Sequence, residues 1–406
     1  MQRTGPSTST SLVTGASRSA STGRLRIMQV ILSHGFAGSE RAVAEACNAM
    51  CDRHDVTLVV RRDHRGSGGA SIRDHVDPRV DVVEVPGRWR TRRRLAEAIQ
   101  RIRPMLIHTH LRRGTRYVAQ IRPDAAHVCT LHLSINGPHF LQSDGLFCIS
   151  KWQLGTVPVD YRGRVFLVPN SLVPQPRIDA DRVRQLKSSL GASDSEFIVG
   201  SVGRLARSKG SDVLLRAFER AALPHARLVI VGDGRERRKL EKLAGANVIL
   251  TGFRSDAKDL YQVFDLFVSP SRSEPFGRVI VEALDAGTPV IATDVQGPRD
   301  IARRYPLELV PSEDVAAMAE ALRRAEARPR ARIGVDLSEF HIQAIAERLI
   351  DAYREVIAAR TAAAGKLLPA GSQRSQICPR AGTELEEHRL ALGQIHNGFH
   401  VVLDRL

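Results

Sequence analysis

From Leu25 onward short apolar runs alternate with longer amphipathic ones. "RIMQVILS" (Arg26–Ser33) reads as a buried strand, and "SERAVAEACNAMCDRH" (Ser39–His54) as an amphipathic helix with Ser39 as its cap. Further strands are expected at "DVTLVV", "VDVVEV", "MLIHTH", "HVCTLH" and "GLFCIS", with helical patterns between several of them, notably "TRRRLAEAIQRIR". Proline and polar turn residues then cluster in "VPNSLVPQPRID" (Val168–Asp179), which reads as an interdomain linker. The alternation restarts with "FIVGSVG", a helix from Lys209, "RLVIVG", a helix from Arg235, "NVILTG", a helix near Asp256–Val263, "LFVSP", a helix from Gly277 and "PVIATD". Two helical runs, "SEDVAAMAEALRRAEA" and "HIQAIAERLIDAYREVIAAR", close the periodic region. Short apolar strands alternating with helices predict parallel, doubly wound sheets. The fold class expected is therefore α/β, with two Rossmann-like domains at 25–170 and 171–340 and a crossover helix at 341–360. Residues 1–24 are rich in Ser, Thr and Gly and free of acids, which predicts a disordered tail, and 361–406 lack clear periodicity.

A chain of 406 residues is long for one core, in keeping with two domains. No apolar run approaches the roughly 18 residues of a membrane span, and the first 23 residues lack the apolar stretch of a signal peptide. The five cysteines form no CxxC pair, which fits reduced thiols in a cytosol. Cys47, Cys51 and His54 share a helical face, and buried thiols explain them better than a metal. Net charge is +16, so anionic partners are expected: nucleic acid, phosphorylated substrates or an acidic membrane surface. "GRWRTRRR" (Gly87–Arg94) alone holds five arginines, which would also serve as an ordinary solvated face.

In parallel α/β sheets ligands bind outside the carboxyl ends of the strands, so the strand-to-helix loops carry the candidate chemistry. "SHGFAGSER" offers Gly35 and Gly38 before a helix, where an anion is welcome. It is not GxGxxG, and no P-loop pattern occurs, so neither a dinucleotide cofactor nor that class of ATP hydrolysis is indicated. "SVGRLARSKG" ends a strand at Gly203 and sets Arg204 and Lys209 beside a helix start, a natural place for a pyrophosphate; two exposed cations in a turn are the plain alternative. In "VGDGRE" Asp233 suits a helix cap. In "LTGFRSD" Gly252 gives a tight turn, and Phe253 either meets a nucleobase or packs on its own domain. The remaining feature is "SRSEPFGRVIVEALDAGTPV", where Glu274 and Glu282 bracket Pro-Phe-Gly and an apolar helical run. Alone, the pair reads as a carboxylate near a helix N-terminus plus a solvated one, or as a binding site.

The series "GRLARSKG", "VGDG", "TGF" and "SPSRSEPFGRVIVEALDAGTPVIATD" resembles the C-terminal half of retaining glycosyltransferases of family 4, with "FAGSERAVAEA", "LIHTH" and "TLH" agreeing more loosely. The likeness runs from about Ile27 to Arg360. It implies the GT-B fold, with the C-terminal helix returning to the first domain, an acceptor role for the first domain and a donor role for the second. By resemblance Glu274 contacts hydroxyls of the donor sugar and Glu282 the ribose. Arg204 and Lys209 neutralise the diphosphate, and backbone N–H groups around Phe276, Gly277 and Arg278 add helix-dipole charge. Gly38, Gly203, Gly252 and Phe253 complete the donor site, and His132 stands near the sugar and leaving phosphate. His108 and His110, on the preceding strand end, read equally as functional or packed. No metal or other cofactor is expected, because these cations serve the leaving group, and the single Asp-x-Asp, Asp179 and Asp181, reads as a helix start.

The Gly-Pro form of "QGPRD" resembles bacterial lipopolysaccharide-core and related surface-glycan enzymes, whereas Asn170-Ser171 replaces the usual Asn-Gly and "RRYPLELVPSED" departs from the usual glycine-bearing segment. The expected function is transfer of a sugar from a nucleotide-diphosphate sugar to a glycan or lipid-linked acceptor, in the cytoplasm or peripherally on the inner membrane. An anionic membrane surface is expected to meet Arg88–Arg94. A GT-B-fold nucleotide-sugar epimerase is the alternative. A nucleic-acid partner is not expected, for no helix-turn-helix, zinc finger or RNP-like pattern is present.

Overall fold

The computed structural model describes residues 23–366 apart from 67, 68 and 88. The expected tails up to Thr22 and beyond Lys366, together with Arg88 and Cys378, lie outside the described residues.

The first sheet comprises β1 (Arg26–Ile31), β2 (Asp55–Arg61), β3 (Asp81–Val85), β4 (Leu106–His110), β5 (Ala126–Leu131), β6 (Gly145–Cys148) and β7 (Arg164–Leu167). All pair in parallel in the order β3-β2-β1-β4-β5-β6-β7. The period of two along a strand divides the core between the sheet's faces. Ile27 and Ile31 of β1 pack with Val43, Cys47 and Met50 of α1 (Gly38–Met50), whereas Met28 and Val30 pack with Leu95 and Ile99 of α2 (Thr91–Ile102) and Val118 of α3 (Leu111–Ile121). Cys47 and Cys51 are buried thiols in the first of these cores. Ser39 does not cap α1: the helix begins one residue earlier, and the Glu40 carboxylate accepts from the Ala37 N–H at 3.1 Å. A further short helix, α4 (Lys151–Leu154), follows β6.

Asp179 accepts from the Arg182 N–H at 2.7 Å and caps α5 (Ala180–Ser189), so the Asp-x-Asp is a helix start. The second sheet then forms from β8 (Phe197–Val202), β9 (Ala226–Val231), β10 (Val248–Gly252), β11 (Leu266–Ser269), β12 (Val290–Thr293) and β13 (Glu308–Val310). It too is parallel, in the order β10-β9-β8-β11-β12-β13. Its helices are α6 (Ser211–Ala221), α7 (Arg237–Leu243), α8 (Ala257–Leu260), α9 (Arg278–Asp285), α10 (Gln296–Ala302) and α11 (Val315–Glu326). α6 and α9 begin two residues and one residue later than the pattern suggests, because Arg207–Lys209 forms a 3-10 turn and Gly210 and Gly277 adopt positive φ. Asp233 does not cap α7; it accepts from the Gly234 N–H at 2.7 Å and faces Arg237.

The final helix, α12 (Ile342–Lys366), continues six residues past Arg360 and returns to the first sheet. Tyr353 is fully buried there, Arg360 holds Asp144 at 2.9 Å, and Glu355 pairs with Arg164. Both crossings between the sheets run side by side: Leu172 N–H donates to the Phe340 carbonyl at 2.6 Å, and Ile342 N–H to the Leu172 carbonyl at 2.9 Å. Among the described residues no helix is long and apolar enough to cross a membrane.

Candidate active site

The loops at the carboxyl ends of β8 and β11 build one wall. Gly203 closes β8, Arg204 is exposed in the turn, and the 3-10 turn lifts Lys209 toward the β11 loop. Gly210, with φ +68°, begins α6 with its Cα against the Pro270 carbonyl, where any Cβ would collide. The two loops are thereby locked together, and Lys209 Nζ stands 2.5 Å from Glu274 Oε2. A pocket opens here, lined by Gly203, Arg204, Lys209, Ser271, Glu274 and Val279 among others. Four of the residues singled out in the sequence thus share one pocket, although Glu274 lies 65 positions from Lys209.

Three hydrogen-bond donors pin the loop that carries Glu274. Gly297 N–H, in α10, donates to the Glu274 carbonyl at 2.9 Å. The next carbonyl, that of Pro275, accepts from Ser150 Oγ at 2.7 Å and from Trp152 Nε1 at 2.8 Å, both from the first domain. Trp152 N–H itself donates to Asp300 at 2.9 Å. Ser150 precedes α4 and Trp152 lies in it; that helix is four residues long, too short for periodicity to reveal. Its Gln153, fully buried, donates to the carbonyls of Leu131 and Leu133 at 2.6 and 2.9 Å and so brackets His132. One short helix therefore fixes the loops of both His132 and Glu274.

Gly277, with φ +103°, turns the chain into α9, whose first-turn N–H groups lack helical acceptors by construction. The Phe276 ring is buried in the core 5.8 Å from that of Phe340, so it is the backbone of this residue, as expected at the helix start, that is available to a ligand. Phe253 also resolves an alternative, for it does not pack on its domain; beside Gly252 (φ +75°) it is 72% exposed. Arg278 Nη2 donates to both oxygens of Glu45 at 2.9 Å, and Gly38 packs over the Arg278 stem. Glu282 receives Arg41 at 3.3 Å and the Tyr261 hydroxyl at 2.9 Å, beside a second pocket that includes Lys258 and Asp285. Burial, with the Glu282 charge next, keeps the Tyr261 phenol protonated, so it remains a donor. Arg41 and Glu45 were not singled out in the sequence; the signal they carry is an Arg and a Glu four residues apart, on either side of the apolar Ala42-Val43-Ala44.

His132 is half-buried at the end of β5, with Nε2 3.1 Å from His110 Nδ1. Burial first, and the Arg278 cation second, push its pKa down to about 4, so it is neutral near pH 7. His108 and His110 are buried, hydrogen-bonded members of the sheet, neutral for the same reason. Among the described residues no group of three His, Cys, Asp or Glu side chains is arranged to hold a metal ion.

Two parallel doubly wound domains, joined by paired crossings and meeting at their loops, define the GT-B architecture. The family description "Glycosyl transferases group 1" matches residues 183–335, and "Glycosyltransferase Family 4" matches residues 36–155. The chain belongs to the group 1, family 4 glycosyltransferases. It is 26% identical over 80% of its length, and 96% of the relative's, to the lipopolysaccharide core biosynthesis glycosyltransferase LpsD of Rhizobium meliloti. It is 44% identical to the GDP-mannose-dependent alpha-mannosyltransferase of Mycobacterium tuberculosis, but over 27% of this chain, and it spans 28% of that relative. Among solved structures, that of Anabaena HepE in complex with UDP-glucose superimposes with a TM-score of 0.65 at 19% identity, over 85% of this chain and 99% of that one.

Proposed function

We propose that the protein transfers a sugar, with retention of anomeric configuration, from a nucleotide-diphosphate sugar to a glycan or glycolipid acceptor, in bacterial lipopolysaccharide or surface-polysaccharide biosynthesis. The observation that carries this reading is the pocket in which Arg204, Lys209 and Glu274 converge beside the start of α9. Arg204, Lys209 and the α9 N-terminus offset the charge that grows on the diphosphate as the sugar departs. The Lys209 ion pair holds the Glu274 carboxylate in place for donor-sugar hydroxyls, and Glu282 serves the ribose. His132, being neutral, can exchange a hydrogen bond with the sugar without adding charge. Attack on the face from which the nucleotide leaves lets the departing phosphate take the acceptor proton, so no side chain is assigned as general base. The reaction is expected without a bound metal, because protein cations supply the leaving-group stabilisation. Family membership and the relatives' names favour a bacterial surface glycan as the product.

A panel of nucleotide sugars, UDP-glucose and GDP-mannose included, tests the reading by nucleotide diphosphate release, with and without EDTA. Glu274→Ala is expected to lose most of the release with the best donor; a variant matching wild type would remove Glu274 from the site. The arginine-rich N-domain face is the proposed membrane contact. Trp89 is 87% exposed there, and Arg93 and Arg94 both engage Glu97, which leaves part of the charge neutralised. Binding to anionic vesicles is expected to weaken with salt and with replacement of Arg88–Arg94, at about 1 kcal/mol per charge; binding indifferent to both would discard it.

A further inference from the structure

A continuous hydrogen-bonded chain runs through the first sheet from α12 to His132. Tyr353 Oη, fully buried, accepts from Gln29 Nε2 at 3.1 Å and lies 2.6 Å from His108 Nδ1. Having accepted from the amide, the phenol spends its own proton on His108, whose Nε2 then carries the hydrogen and meets Thr130 Oγ1 at 2.7 Å. The other end of the Gln29 amide, Oε1, only accepts. His110 Nε2, 2.8 Å away, must therefore donate to it. A neutral imidazole with a proton on Nε2 has a lone pair on Nδ1, and that lone pair faces His132 Nε2 at 3.1 Å. With the Gln29 amide in this orientation, His132 donates from Nε2. The opposite tautomer would press two lone pairs together unless the Gln29 amide turned over and every partner reversed with it.

We propose that Tyr353 and Gln29 are positioning residues that, through His110, fix the ring orientation and the Nε2–H tautomer of His132 and leave Nδ1 as that ring's acceptor for a hydroxyl of the donor sugar. The hydroxyl partner rests on the functional reading above; the tautomer does not. Register makes the chain possible, because Gln29 lies opposite His108 and His110 opposite Thr130 in adjacent strands. Gln29 is a polar residue on a face that is otherwise apolar in β1, where burying an amide is costly unless both of its ends are satisfied. Because Tyr353 belongs to the crossover helix, docking of that helix and the state of the active-site histidine are coupled.

The test is long-range 1H–15N correlation NMR on protein labelled with 15N-histidine, the His132 signals being assigned by comparison with His132→Gln. Nε2–H is expected in the wild type. Tyr353→Phe removes the acceptor of the Gln29 Nε2–H, and Gln29→Leu removes the acceptor of His110; each is expected to give a mixture of His132 tautomers. A wild-type His132 protonated on Nδ1 overturns the proposal, as does an unchanged tautomer in folded Tyr353→Phe and Gln29→Leu. The wild-type spectrum decides even if a variant does not fold. In nucleotide release with UDP-glucose, or GDP-mannose if that is the better donor, Tyr353→Phe is expected to lower kcat/KM about threefold to tenfold, the worth of one hydrogen bond. A His132→Ala variant with full activity would refute the role of His132 while leaving the tautomer result standing.

Discussion

Replacing Gly297 by alanine perturbs the site from behind, without touching any side chain that faces the pocket. Gly297 needs no unusual backbone angle; it needs the absence of a side chain, because a Cβ there would lie 2.6 Å from both the Cα and the carbonyl carbon of Phe276. Non-bonded carbons settle at about 3.5–4.0 Å, so either α10 or the Glu274–Phe276 segment must retreat by roughly 1 Å. The segment cannot yield freely, since the Pro275 carbonyl is held by Ser150 and Trp152 and the Phe276 ring is packed in the core. Overpacking of this kind costs about 1–3 kcal/mol of stability. The larger consequence is chemical. The Gly297 N–H to Glu274 carbonyl bond transmits the shift to the carboxylate beside Lys209, and a misplacement of about 1 Å costs on the order of a hundredfold in rate. Nucleotide release with the best donor, measured beside thermal unfolding, separates the two effects. A folded Gly297→Ala protein with kcat within twofold of wild type would refute the idea that this backbone contact places Glu274.

Two other outcomes follow from buried charge. Glu45→Ala leaves Arg278, 10% exposed, without its main partner; breaking such a pair costs about 3–5 kcal/mol, reduced here to about 2 because Glu282 lies 3.9 Å from the same nitrogen. Thermal unfolding should begin about 4–8 °C lower, and an unchanged midpoint would mean that the contact between α1 and α9 is not populated in solution. The second outcome concerns acid. His127 is held down to about 3 and His132 to about 4 by burial first, with Arg360 and Arg278 adding to it, and His108 and His110 also lie well below 6.5. Below pH 6.5 the unfolded chain takes up protons that the native state refuses, so these residues lower stability progressively as pH falls from about 6.5 toward 4. Denaturant midpoints across that range should fall with pH, less steeply in His127→Gln, and a flat profile would contradict the buried, neutral state.

The fold was legible because the pattern that specifies it is local. Strands buried on both faces read as short apolar runs, and their alternation with amphipathic helices leaves little but parallel doubly wound sheets. The loop glycines and the Glu274–Glu282 spacing are equally local, as they follow one strand-to-helix turn. Helix starts were displaced by a residue or two where Gly210 and Gly277 take up left-handed conformations, which adjacent residue types only weakly announce. The direction of the Phe276 ring was not legible, because an aromatic residue in a loop has no period from which its direction follows; the core beneath α9 takes the ring and leaves the backbone at the helix start.

What the sequence by itself determined is the list of loops and the chemistry each contains. Only the tertiary structure decided which of them meet. Lys209 finds Glu274 because β11 lies next to β8, an adjacency set by strand order and not by separation along the chain. Arg41 and Glu45 reach Glu282 and Arg278 only because the two domains face one another, and α4 can splint two loops only from between them. The direction of the proton chain from Tyr353 to His132 is likewise a property of paired strands and a returning helix. Periodicity arises from neighbours in sequence and can be read there; a hydrogen bond across 324 positions, such as that of Gln29 with Tyr353, exists only after the backbone has closed.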